Sequence, residues 1–146
     1  MRIREFMTEN PVLVRRRATL HRAAQLMRDS ETGFLPVISD AGLIGVLTDR
    51  DVVVRAVAEA VSPLTGYVED AMSVGAITCL PDEDVTTVTD RMAREGCRRV
   101  VVVDTSDLPI GVVSLGDLVQ GDGDSEHVST LIRTVSGDGN GSDGTH

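Results

Sequence analysis

The chain repeats itself, and the repeat limits its folding more than any other feature. Phe6-Met7-Thr8 returns as Ala71-Met72-Ser73, an offset of 65 residues. At that offset Val12 meets Ile77, Val14 meets Cys79, Leu20 meets Val85, Ala23 meets Val88 and Met27 meets Met92. The offset holds through Leu35-Pro36-Val37 against Val100-Val101-Val102. It then becomes 66, which lays Gly45-Val46-Leu47-Thr48 on Gly111-Val112-Val113-Ser114. One extra residue in the turn from Thr105 to Leu108 accounts for the step, because turns tolerate insertions. A duplication of this kind means two copies of one supersecondary unit, each with an apolar face that needs covering.

Each copy predicts the same order of elements, strand–helix–strand–strand–helix. A short extended piece (Val12 to Val14; Ile77 to Leu80) precedes a helix. The first helix has Leu20, Ala23, Ala24 and Met27 at i, i+3, i+4 and i+7, and its counterpart uses Val85, Val88 and Met92. Asp82 or Asp84 is the expected cap of the second helix. A hairpin follows, Phe34 to Ile38 and Leu43 to Leu47 in one copy, Val100 to Val103 and Ile110 to Val113 in the other. A closing helix is expected from Asp49 to Ala60 and from Leu115 to Gln120. The fold class is therefore α/β (α+β), with repeat 1 at 1–61, a connector at 62–68 and repeat 2 at 69–120. Residues 121–135 read as a linker with a short amphipathic helix through Val128, Leu131, Ile132 and Val135. The tail 136–146 is too poor in apolar residues to offset its ordering entropy, and disorder is expected there.

Composition removes several function classes. Aromatic residues make up 2% of the chain, with no Trp, so aromatic cages and base-stacking platforms are not expected. Net charge is −9, and all basic residues are Arg. Nucleic acid is an improbable partner for an acidic chain, because affinity for phosphate backbones comes from neutralising cations. Two cysteines argue against a disulfide scaffold. Met1 to Phe6 contains no apolar stretch like a signal peptide, and Val100 to Val103 is too short to span a bilayer. A soluble, cytoplasmic protein without a membrane partner is expected.

Both copies carry a hydroxyl and a carboxylate where the last strand meets the last helix. These are Thr48 and Asp51 in Thr48-Asp49-Arg50-Asp51, and Ser114 and Asp117 in Ser114-Leu115-Gly116-Asp117. The spacing suits a variant capping box, in which the two side chains satisfy first-turn amides. It equally suits a ribose 5′-phosphate, with phosphate beside the hydroxyl and ribose hydroxyls on the carboxylate. A cap can be exchanged for a ligand, so both readings stand. Arg15-Arg16-Arg17 reads as a solvated turn. His21 and His127 lack metal-ligand spacing, Cys79 and Cys97 read as packing positions, and no catalytic triad or Walker loop is present.

The duplication, element order and both signatures resemble a tandem pair of cystathionine-β-synthase (CBS) domains, the Bateman module, over roughly Ile3 to Gln120. The resemblance implies two βαββα units packed pseudo-symmetrically through their sheets, with clefts between the repeats, and modules that pair as homodimers. It implies that the clefts bind AMP, ATP or S-adenosylmethionine. On that basis Asp51 and Asp117 hold ribose, Thr48 and Ser114 the phosphate end, and backbone around Leu35-Pro36-Val37 the adenine. The second copy has Val101 in place of Pro36. Arg98 stands where phosphate-sensing members carry a basic residue, and the first copy has Gly33 there. The expected function is a non-catalytic sensor of an adenosine-containing ligand that needs no cofactor, reporting through dimer conformation to a regulated protein. A ligand-free dimeric scaffold is the alternative. An enzyme is not expected, since family enzymes carry a separate catalytic domain.

Overall fold

The structure, a computed structural model, describes residues 1–121. The helix and tail expected within 121–146 lie outside the described residues. A 3-10 turn at Ile3–Glu5 leads into β1 (Thr8–Glu9), β2 (Val14–Arg15), α1 (Leu20–Ser30), β3 (Phe34–Ser39), β4 (Gly42–Thr48) and α2 (Asp49–Asp51). The second copy repeats the sequence of elements. A 3-10 turn at Val68–Asp70 precedes β5 (Ser73–Val74), β6 (Thr78–Cys79), α3 (Val85–Glu95), β7 (Arg99–Val103), β8 (Pro109–Ser114) and α4 (Leu115–Gly121).

Strand register shows the duplication at the level of single residues. Phe34 pairs with Thr48, Leu35 with Leu47 and Pro36 with Val46; Arg99 pairs with Ser114, Val100 with Val113 and Val101 with Val112. Both hairpins shift register at the same place, between Val37 and Ile38 and between Val102 and Val103. The extra residue of the second hairpin is taken up in its turn, where Asp107 adopts φ 63° and Asp104 N–H donates to Leu108 O at 2.9 Å.

Two compact units divide the chain, and each borrows its outermost strand from the other repeat. One unit is Pro11–Ala76, with sheet order β2-β3-β4-β5; the other joins Met1–Asn10 to the described residues 77–121, with order β1-β8-β7-β6. The arm Met1–Asn10 docks through Ile3 N–H to Glu83 O (3.1 Å), Arg4 N–H to Pro81 O (2.9 Å) and Val85 N–H to Met1 O (2.9 Å). In the other unit Val68 N–H bonds Ala18 O (2.9 Å), Glu69 N–H bonds Arg16 O (2.9 Å) and Leu20 N–H bonds Gly66 O (3.0 Å). These are the same three bonds, moved by the repeat offset. Each arm also buries an apolar anchor, Ile3 in one core and Val68 in the other, both fully inaccessible. The strand pairing of the arms has no periodicity signal, because β1 and β5 are two residues each.

The helices follow their apolar stripes with one correction. Leu20, Ala23 and Met27 are buried on α1, and Val85, Val88 and Met92 on α3, but Ala24 faces outward. Leu26 packs against the core instead, which turns the stripe away from Ala24. Thr19 caps α1 by accepting from Arg22 N–H (3.1 Å), and Asp84 rather than Asp82 caps α3 by accepting from Thr86 N–H (3.1 Å). The helix expected from Asp49 to Ala60 is α-helical only through Asp51. Val52–Val57 winds as a π-helix, closed by Ala58 N–H to Val53 O at 2.9 Å, and residues 58–60 form a turn. Three consecutive valines restrict χ1 against the preceding turn, which disfavours a regular α-helix here. Ala56 is the buried residue of this segment, while Val53 and Val57 are 57% and 65% exposed.

Close strand approach explains the glycine that opens each signature. A methyl group on Gly45 would collide with the backbone carbonyl of Ser73 in β5, and one on Gly111 would lie 2.7 Å from Met7 Sδ and 3.1 Å from Thr8 O. Gly116, by contrast, has only Ser114 Oγ at 3.7 Å. Gly45→Ala and Gly111→Ala are therefore expected to lose about 1–3 kcal/mol of stability through overpacking. Gly116→Ala should be neutral or stabilising by up to about 1 kcal/mol through helix propensity. Urea denaturation of the three variants checks the order.

Candidate ligand-binding site

Each compact unit carries one strand-to-helix junction, and the hydroxyl–carboxylate pair lies on it. In the first copy Thr48 N–H donates to Asp51 Oδ2 at 2.9 Å, and Asp51 N–H donates to Thr48 Oγ1 at 3.0 Å. In the second, Ser114 N–H donates to Asp117 Oδ2 at 3.0 Å, and Asp117 N–H donates to Ser114 Oγ at 3.1 Å. Both are reciprocal capping boxes with Asp as the returning carboxylate. Thr48 is 6% exposed, whereas Asp51, Ser114 and Asp117 are half-buried, so the carboxylates remain reachable from solvent.

The strand beside each junction brings the remaining expected residues alongside. Asp49 N–H donates to Gly33 O at 3.0 Å, and Leu115 N–H donates to Arg98 O at 2.8 Å. Positions 33 and 98 therefore abut the two capping boxes. Leu35 and Val37 turn their side chains into the core of their own unit, which leaves only their backbone to a ligand. Pro36 lies on the opposite face and is buried, and Val101 is buried completely. Val101 N–H bonds Ile77 O at 3.0 Å. Pro36 has no N–H to make the equivalent bond to Val12, so the two copies differ in backbone chemistry at this point.

Charge separates the junctions further. A methyl group on Gly33 would lie 2.6 Å from the Asp49 carboxylate, which fills the space next to that glycine. The second copy has apolar Leu115 in place of Asp49, and an exposed Arg98 in place of Gly33. Arg99, which pairs with Ser114, stands in place of Phe34. Counting formal charges, Asp49, Arg50 and Asp51 leave the first junction at −1, while Arg98, Arg99 and Asp117 bring the second to +1. Only the Arg98 part of this contrast stands out in the sequence. The role of Asp49 depends on where its carboxylate sits.

An open pocket of about 460 Å³ lies elsewhere, between the start of β6 and α3, and none of the expected site residues lines it. Glu83 and Arg91, which line it, stand in place of Ala18 and Leu26 of the first copy. Leu26 packs on its core, whereas Arg91 turns to Glu83 (Nη2 to Oε1, 2.6 Å) and to Thr78 O (2.8 Å). The Arg91 hydrogen bond holds the Glu83 carboxyl below its ordinary range. Cys79 lines this pocket; burial, helped by the Glu83 charge, pushes its thiol up to about 12. Such a thiol carries little thiolate near neutral pH and reads as packing. Arg15, Arg16 and Arg17 are each paired, with Asp40 or Glu69. Among the described residues no group of His, Cys, Asp and Glu is placed to hold a metal, and no helix is long and apolar enough to cross a membrane.

Comparison with known proteins agrees with these repeats. The CBS domain family matches residues 3–57 and 68–122, and the chain belongs to that family. The CBS domain-containing protein YhcV of Bacillus subtilis is 30% identical over 134 residues, covering 92% of this chain and 94% of YhcV. Among solved structures, Hypoxic Response Protein I with two coordinated zinc ions superposes with a TM-score of 0.74 at 27% identity, over 83% of this chain and 98% of that one. CBSX2 in complex with AMP superposes with a TM-score of 0.69 at 25% identity, over 82% and 93%.

The closed capping boxes predict their own cost. Thr48→Ala and Ser114→Ala should each lose about 1 kcal/mol without any ligand present. Chemical denaturation that shows no loss for either would mean that the boxes open in solution.

Proposed function

We propose that the chain is a non-catalytic, cytoplasmic regulatory module. It binds an adenosine-containing ligand of the AMP, ATP or S-adenosylmethionine class and passes on occupancy through the conformation of a homodimer. The observation that carries this reading is the reciprocal hydroxyl–carboxylate pair at the same junction of both copies, in a chain of a family whose relative CBSX2 has been solved with AMP. Asp51 or Asp117 exchanges its cap bond for the two ribose hydroxyls, and Thr48 or Ser114 turns its hydroxyl to the phosphate. Backbone at Leu35-Pro36-Val37, and at Val101 in the second copy, borders the base. Arg98 supplies a guanidinium to the phosphate, so the second junction holds AMP more tightly. The ligand is a signal and no cofactor is required. A ligand that favours one arrangement of the dimer shifts its population.

The dimer reading rests on Val53, Val54 and Val57, which expose 57%, 48% and 65% of their surface along one segment. A second copy related by a two-fold axis would set these valines against their own counterparts and remove them from water. The alternative of a ligand-free dimeric scaffold draws on the capping boxes, which already satisfy both carboxylates internally.

Calorimetry with AMP tests the assignment. A charged hydrogen bond contributes about 1.5–3 kcal/mol, so Arg98→Ala and Asp117→Ala should each weaken the tightest event roughly tenfold or more, with Asp51→Ala affecting only a weaker one. If Asp51→Ala abolishes the tightest event while Arg98→Ala leaves it intact, the site assignment is reversed. No thermal shift with AMP, ATP or S-adenosylmethionine would favour the scaffold, since a ligand at 100 times its Kd should add about 2.7 kcal/mol. Light scattering at micromolar concentration is expected to give twice the 15.6 kDa chain mass, and the double variant Val53→Glu, Val57→Glu is expected to give the monomer.

A further inference from the structure

The sheet built on the second hairpin ends at β6, the last strand in its order among the described residues. Val101 N–H donates to Ile77 O at 3.0 Å, and Thr78 and Cys79 pair with Val101 and Val102. Alternate residues of a parallel strand bond the same neighbour. Ile77 and Cys79 therefore face β7, while Thr78 and Leu80 turn their backbone groups to the free edge. Side chains occupy that edge. Arg91 Nη1 donates to Thr78 O at 2.8 Å, and Leu80 N–H donates to Glu83 Oε2 at 2.8 Å. Arg91 Nη2 closes the ring on Glu83 Oε1 at 2.6 Å. The guanidinium thus donates where a neighbouring strand would donate, and the carboxylate accepts where it would accept. The open pocket of about 460 Å³ borders Thr78 and Leu80, so the edge is reachable from solvent.

We infer that the Glu83–Arg91 pair guards the β6 edge against strand addition by a second copy of this chain. Core packing does not require the pair, because Ala18 and Leu26 stand at the same positions of the first copy and pack on its core. A partly exposed ion pair also contributes little to stability. What differs between the copies is the strand itself. β2, the corresponding end strand, follows Pro11 and carries Arg15 where β6 is followed by Leu80, with Arg16 and Arg17 behind it. Proline and charge on an edge oppose pairing. Ala76-Ile77-Thr78-Cys79-Leu80 has neither, its Ile77 and Thr78 favour extended backbone, and Leu80 is 46% exposed. This segment can pair antiparallel with its own copy about a two-fold axis without bringing a charge into the contact. β2 cannot, because of Arg15. Each edge is protected, one from within the strand and the other from α3 and the loop before it. The inference depends neither on a ligand nor on the valine face of the proposed dimer.

The double variant Glu83→Ala, Arg91→Leu installs the residues of the first copy and uncovers the edge. Under a thiol reductant, which keeps Cys79 out of the comparison, it should retain the parent's circular dichroism and a cooperative urea transition. Its light-scattering mass should nevertheless climb above the parent's as concentration rises from micromolar towards millimolar. Adding Leu80→Arg, which gives β6 the charge that β2 has, should return the mass to the parent's value. If the double variant does not fold, Arg91→Met keeps the aliphatic stem, uncovers only Thr78 O and is read in the same way. A folded variant that holds the parent's mass throughout would overturn the proposal. So would association that Leu80→Arg leaves in place.

Discussion

Neither apolar core is complete until an arm from the other repeat has docked on it. Ile3 and Val68 are fully buried, yet each lies in a turn of three residues that could not hold itself in water. What fixes them is a short ladder of backbone bonds on which the arm lies against the loop before α1 or α3. Ile3 N–H to Glu83 O and Val68 N–H to Ala18 O are equivalent members of it. The arm then continues as β1 or β5 along the hairpin, where Gly45 and Gly111 let the backbones approach. The glycine of each junction signature is therefore a packing residue, although it stands only three positions before Thr48 or Ser114.

That dependence also decides what could be read from the sequence. The helices, the hairpins and their one-residue difference were legible, because periodicity and the change of offset at Thr105 to Leu108 are local signals. The exchange of arms was not. Two-residue strands have no period to detect, and which surface an arm chooses depends on contacts distant in the chain. The start of the π-helix was hidden for another reason. Three consecutive valines have no helical spacing to read: Val52 packs on the core, while Val53 and Val54 are 57% and 48% exposed. At the junctions the residue types were legible and the placement was not: Asp49 stands out only once its carboxylate is seen to fill the space beside Gly33.

The capping boxes impose a competition on any ligand. Asp51 and Asp117 each accept a backbone N–H from the preceding hydroxyl residue, and that residue accepts one in return. A ribose that takes the carboxylate must supply hydrogen bonds at least as good as the bond it displaces, since an orphaned amide costs about 1–3 kcal/mol when buried. Thr48, at 6% exposure, has less solvent to turn to than half-buried Ser114. Opening the first box is accordingly harder than opening the second, before any ligand charge is considered.

Charge acts in the same direction. The first junction carries −1 where the second carries +1, so an anionic ligand meets repulsion in one place and attraction in the other. Burial and charge could have offset each other, leaving two equivalent junctions. Instead both set the Ser114–Asp117 junction apart as the less enclosed of the two and the one with net positive charge. Duplication makes this divergence inexpensive, because the backbone bonds that hold each arm use no side chain. Positions 33 and 98, 34 and 99, and 49 and 115 were free to gain or lose a charge while the register stayed fixed. The scaffold constrains the backbone at these positions and leaves their charge to vary.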